Sequence, residues 1–108
     1  MMTIVTHVTL RGGSEPERDA TMRDRMAVAC DRPGWVGGQL MIPIDGLNKR
    51  VIVGTWETRA PWEAWRDDPE FRQTRAQLEG LEAAPSPHWW HDVIEDIRRP
   101  GAALDEAA

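Results

Sequence analysis

At 108 residues the chain has the size of one domain and can bury roughly two-thirds of its unfolded surface, so a core needs no metal or disulfide staple. Thirteen Lys and Arg against eighteen Asp and Glu leave a formal charge of −5, which disfavours nucleic acid as a partner, because phosphate binding needs a clustered basic face. The single cysteine, Cys30, excludes an internal disulfide and suits a reducing compartment. No run approaches the ~18 apolar residues of a membrane span, and Met1 to Leu10 lacks the pattern of a signal peptide, so a cytoplasmic domain with no membrane partner is expected.

Met2 to Leu10 is rich in β-branched residues and reads as a strand apolar on both faces. Arg11-Gly12-Gly13 breaks it, and Ser14-Glu15-Pro16-Glu17 reads as a capping box opening a helix. Met22, Met26, Ala29 and Cys30 form that helix's apolar stripe, with Arg18, Asp24 and Arg25 mostly outside it. Cys30 reads as a small core hydrophobe. Trp35 to Ile44 is a second strand, with a bulge or close backbone approach at Gly37-Gly38. Asp45 to Asn48 turns it into a third strand, Arg50–Thr58, completing an antiparallel hairpin.

Pro61 opens a short helix carrying Trp62 and Trp65 on one face, and Asp68-Pro69-Glu70 starts another with Phe71, Arg75, Leu78 and Leu81 on one side. Ala83 to Pro87 is a loop and His88 to Ile97 a fourth strand. The folded domain is expected to span residues 1–97, with 98–108 a flexible tail. The order β-α-β-β-α-β is the ferredoxin-like α+β pattern, an antiparallel four-stranded sheet with helices on one face. Strands apolar on both faces imply that a second copy covers the other face, so a homodimer is expected.

Pro33-Gly34-Trp35-Val36-Gly37-Gly38-Gln39-Leu40 resembles a signature of the antibiotic biosynthesis monooxygenase superfamily. Trp56-Glu57-Thr58, Trp62-Glu63-Ala64-Trp65, Asp68-Pro69-Glu70-Phe71 and Arg75 resemble its block from the third strand into the second helix. The resemblance covers about residues 3 to 96. It implies a dimeric α+β barrel in which each subunit holds a pocket between its helices and its sheet. It also implies one of several activities: cofactor-independent oxidation of anthrone-like polyketides, heme degradation, or ring opening assisted by reduced flavin. In the heme-degrading branch the resemblance places His7 where that branch has an Asn, Trp65 at its Trp, and Arg75 where it has the axial His. A guanidinium offers iron no lone pair, so heme degradation is disfavoured.

The site residues implied are His7 as a base, Trp65 as a hydrogen-bond donor and stacking surface, and Arg75 holding an anion. Met22, Met26, Trp62, Phe71, Arg72, His88 and Trp90 are expected to bind substrate. Plain alternatives stand beside these: a core histidine for His7, a packing indole for Trp65, solvated cations for Arg72 and Arg75. In His88-Trp89-Trp90-His91 strand alternation puts His88 and Trp90 on one face and Trp89 and His91 on the other, a poor metal site. Trp35 and Trp56 read as packing. Neither a metal-ligand spacing nor a phosphate-binding glycine loop is present, so no bound cofactor is expected, and the resemblance implies O2 as co-substrate. A small aromatic substrate is expected. Reduced flavin as a diffusible cofactor, or an aromatic-binding subunit without catalysis, are the alternatives.

Overall fold

The computed structural model describes residues 1–101; residues 102–108 of the expected tail lie outside the described residues. Seven elements follow in order: β1 (Met2–Thr9), α1 (Glu15–Ala29), β2 (Trp35–Met41), β3 (Lys49–Trp56), α2 (Arg59–Asp67), α3 (Pro69–Glu79) and β4 (His88–Asp92). The strands form one antiparallel sheet in the order β2-β3-β1-β4, the ferredoxin-like arrangement expected, with the second helical segment divided in two.

Two strands stop three or more residues earlier than the sequence implies. β2 ends at Met41, just before Pro43, which has no N–H to continue a ladder. β4 ends at Asp92, because its last pairing partner is Met2, at the beginning of β1.

The core lies between α1–α3 and one face of the sheet. Met2, Ile4, Val8 and Leu10 are buried there, while Thr3, Val5, His7 and Thr9 point to the other face. The expectation that β1 is apolar on both faces is therefore corrected: its second face is mainly polar. Pairing carries the alternation across the sheet, so Ile52, Gly54 and Trp56 of β3 share the covered face with Ile4 and Met2. Val51, Val53 and Thr55 sit opposite His7, Val5 and Thr3 on the open face, where the Thr3 and Thr55 hydroxyls meet at 2.8 Å.

α1 departs from its expected pattern at three places. Ser14 does not cap it: its backbone is already helical (φ −88°, ψ −6°), and its hydroxyl donates to the carbonyls of Arg11 and Leu81 instead. Cys30, the residue that follows the last of α1, is exposed rather than in the core. Arg18 is buried rather than solvated, paired through Nη2 with Glu82 Oε1 at 2.9 Å.

Arg50, also buried, ties β3 to α1 through a two-pronged bond to Asp19, Nε to Oδ1 at 2.8 Å and Nη2 to Oδ2 at 3.0 Å. The guanidinium bond holds the Asp19 carboxyl below its ordinary value of 3.8 and raises Arg50 in turn. At the start of α3, Asp68 accepts from the backbone N–H of Glu70 at 2.9 Å, the expected cap.

Both glycine features of β2 serve the indoles. The ladder shifts register between Trp35 and Gly37, the expected bulge. A Cβ at Gly38 would lie 2.7 Å from Trp35 Cη2 and 2.8 Å from Met26 Cε, so only glycine leaves that ring room to lie against the strand. Gly34 takes φ +83°, and a Cβ there would collide with the Pro61 ring.

Candidate active site

The covered face of the sheet and the helices do not close completely. They leave a cavity of about 750 Å³, within the range of small-molecule sites. α1 contributes Met22, Met26 and Ala29 from its inward stripe, a consequence of their i, i+4, i+7 spacing. The sheet supplies Ile4, Thr6, Ile52 and Gly54, and Trp35, Trp56, Trp65 and Phe71 complete an aromatic wall. These rings brace one another edge to face: Trp35 on Trp56 at 5.3 Å between centroids and Trp65 on Phe71 at 5.6 Å. Trp56 is 2% exposed and Trp65 6%, so the wall is fixed by the core behind it.

Of the residues singled out in the sequence, Trp65, Arg75, Met22, Met26, Phe71 and His88 line this cavity. Arg75 does so with Nε bonded to Glu79 Oε1 at 2.9 Å. His88 stands on β4 opposite Thr6, on the helix-facing side, with its ring edge to face on Trp90 at 4.9 Å.

The placement of His7 is corrected. It lies on the odd-numbered face of β1, exposed, turned away from the cavity and edge to face on Trp89 at 5.2 Å. One residue of strand alternation separates it from Thr6, which does line the cavity. Three expected substrate contacts are also corrected. Arg72 is exposed and pairs with Asp67 at 3.3 Å. Trp62 and Trp90 pack on each other at 5.6 Å outside the cavity, with Arg66 over the Trp62 ring. Trp89 and His91 take the open face, His91 Nδ1 lying 3.3 Å from the Thr3 carbonyl oxygen.

Trp35 and Trp56, expected only to pack, are cavity walls as well. Arg18 and Arg25, expected mostly outside the helix stripe, also line the cavity. Arg25 occupies the position three residues after Met22, a spacing that could have placed it on the same face. It crosses to α3, donating to Thr74 Oγ1 and the Phe71 carbonyl at 2.9 Å each, with its guanidinium 3.9 Å above the Phe71 ring. Burial, and then the neighbouring charges of Arg18 and Arg75, pull its pKa down to about 10.

The residues present do not fit a heme iron held from α3. Arg75 stands where the resemblance puts the axial His and is committed to Glu79. His88, the one imidazole among the lining residues, comes from β4. Among the described residues no group of three or more His, Cys, Asp or Glu could hold a metal ion, and no helix is long and apolar enough to cross a membrane.

A model of the antibiotic biosynthesis monooxygenase family matches residues 1–77. Among solved structures, the chain superposes on SnoaB, a cofactor-independent oxygenase from Streptomyces nogalater, with a TM-score of 0.80 and 20% identity, covering 91% of this chain and 97% of that one. A candidate antibiotic biosynthesis monooxygenase from Nitrosomonas europaea gives a TM-score of 0.83 at 13% identity, covering 88% of this chain and all of that one. A curated relative, a mycobilin-producing heme oxygenase from Mycobacterium tuberculosis, is 26% identical over 65 residues. That match spans 60% of this chain and 62% of the relative's length.

Proposed function

The chain belongs to the antibiotic biosynthesis monooxygenase family, and we propose that it oxidises an anthrone-like polycyclic aromatic with O2, using no bound metal, heme or flavin. The observation that carries this reading is the cavity itself: about 750 Å³, walled by Trp35, Trp56, Trp65, Phe71 and the thioethers of Met22 and Met26. Flat indole faces and polarisable sulfurs suit fused rings.

The chemistry then asks little of the protein. An anthrone's methylene is acidic because its carbanion is delocalised as a phenolate. His88, the imidazole on the cavity, removes that proton, and Trp65 and Arg75 face the anion that results. The carbanion is oxidised by O2 to a carbon hydroperoxide, and loss of water leaves a quinone carbonyl. One oxygen atom ends in product and one in water, with both electron pairs supplied by the substrate's two C–H bonds.

Oxygen uptake by the purified chain with anthrone tests the reading. Uptake without additions is expected. Uptake only with reduced flavin would move the protein to flavin-assisted chemistry, and binding without uptake would leave an aromatic-binding subunit. The curated relative's activity motivates a separate check. Hemin titration is expected to give no saturable Soret shift, and a stoichiometric shift would overturn the heme-free reading.

We infer further that the open face, where Val5, Val51 and Val53 lie beside the half-exposed Trp89, seats a second copy of the chain. Sedimentation equilibrium is expected to give the mass of a dimer.

A further inference from the structure

The charge of the cavity runs against that of the chain. Arg11, Arg18, Arg25, Arg66 and Arg75 line it against only Glu79 and Glu82, in a chain whose formal charge is −5. Among the described residues, only two of these cations have carboxylate partners, Arg75 with Glu79 and Arg18 with Glu82. Arg25 bonds a hydroxyl and a carbonyl, Arg11 bonds the Glu82 backbone carbonyl, and Arg66 lies over an indole.

Arg18 is the most constrained. Its side chain is 3% exposed, and its Nε and Nη1 are buried with no hydrogen-bond partner. An arginine cannot shed its charge to relieve this, so the two donors call for an acceptor. The lowered proton affinity of Arg25, set by burial and by its cationic neighbours, is what cations gathered short of counter-charge produce.

Arg18 is also separated in space from the indoles. Arg18, Met22, Arg25, Met26 and Ala29 all reach the cavity from α1, and at 1.5 Å per residue Arg18 and Ala29 stand about 16 Å apart. Ala29 belongs to the cluster of Trp56, Trp62 and Trp65, whereas Arg18 meets Glu82 beyond the end of α3. Arg18 thus marks the end of the cavity away from the indoles, and Arg25 stands between the two, over the Phe71 ring.

We propose that the cavity's ligand is an aromatic acid, its carboxylate seated on Arg18 and Arg25 and its rings among Trp35, Trp56 and Trp65. The inference rests on the ring-binding cavity of the proposed function and adds an anion subsite to it. Reaching the unpartnered nitrogens takes a rotation of the Arg18 side chain toward the cavity, and Glu82 is the carboxylate with which the ligand competes.

Calorimetric titration of the full chain with an anthraquinone carboxylate and with its carboxamide tests the subsite. The acid is expected to bind at least about tenfold more tightly at low salt, with the advantage shrinking as salt is added. Arg18→Gln and Arg25→Gln are each expected to erase most of that advantage, read as the ratio of acid to carboxamide affinity in the same variant. Should Arg18→Gln fail to fold, Arg25→Gln and Glu82→Gln decide, the latter raising affinity for the acid by removing its competitor. Equal binding of acid and amide, or a preference untouched by Arg25→Gln, overturns the subsite and leaves the ring-binding cavity standing. If neither compound binds, the ring-binding cavity fails and the subsite with it.

Discussion

The two faces of the sheet carry similar residues in very different surroundings. Each has an imidazole and an indole from β4 or β1: His88 and Trp90 on the covered face, His7 and Trp89 on the open one, each pair edge to face near 5 Å. Only the covered face has helices above it, and only there do rings, thioethers and guanidinium groups line a cavity. A histidine's chemistry in this fold is therefore set by which side of the pleat it occupies. A one-residue step along β1 or β4 exchanges a cavity wall for an open surface.

Substitutions on the two faces should break in different ways. The largest effect is expected at Trp56, which is buried on the covered face against Trp35. Trp56→Ala should lower unfolding free energy by about 3–5 kcal/mol, read from urea denaturation. Gly34→Ala follows, at about 1–3 kcal/mol by the same measurement, since it forces a side chain into a left-handed conformation and against Pro61.

The ion pair between α1 and β3 should show in the pH dependence of stability. The folded-state Asp19 carboxyl lies below its ordinary 3.8, so the pair's contribution is present above that pH and lost as pH falls through the lowered value. The stability gap between wild type and Asp19→Asn, measured by thermal melts, should be constant near neutrality and shrink below about pH 3.8. The smallest effect on monomer stability belongs to the open face. Trp89→Ala should change it by under about 1 kcal/mol while shifting sedimentation mass toward the monomer.

The order of strands and helices was legible because it is written in local patterns: β-branched runs, proline at helix starts and a turn between β2 and β3. The cavity lining was partly legible from the helical spacing of Met22, Met26 and Trp65. The facing of His7 was not drawn from the sequence, although its neighbours carried the signal. Large apolar residues occupy the even positions Met2, Ile4, Val8 and Leu10, and threonines share the odd positions with His7. Arg18 could not be placed from its own surroundings. A charged residue in the first turns of a helix looks solvated, and its burial depends on Glu82, 64 positions away. Ser14 misled for a related reason: the motif for a capping box was present, but tertiary contact with Leu81 drew its hydroxyl elsewhere.

The most direct test compares His88→Ala with His7→Ala in one oxygen-uptake assay on the same anthrone, with dimer mass and melting temperature followed alongside. His88→Ala should cut turnover by about 10²-fold or more, and His7→Ala should change it by less than about twofold. A fully active His88→Ala, or a collapse of turnover in His7→Ala with the dimer intact, would contradict a reaction centre on the covered face.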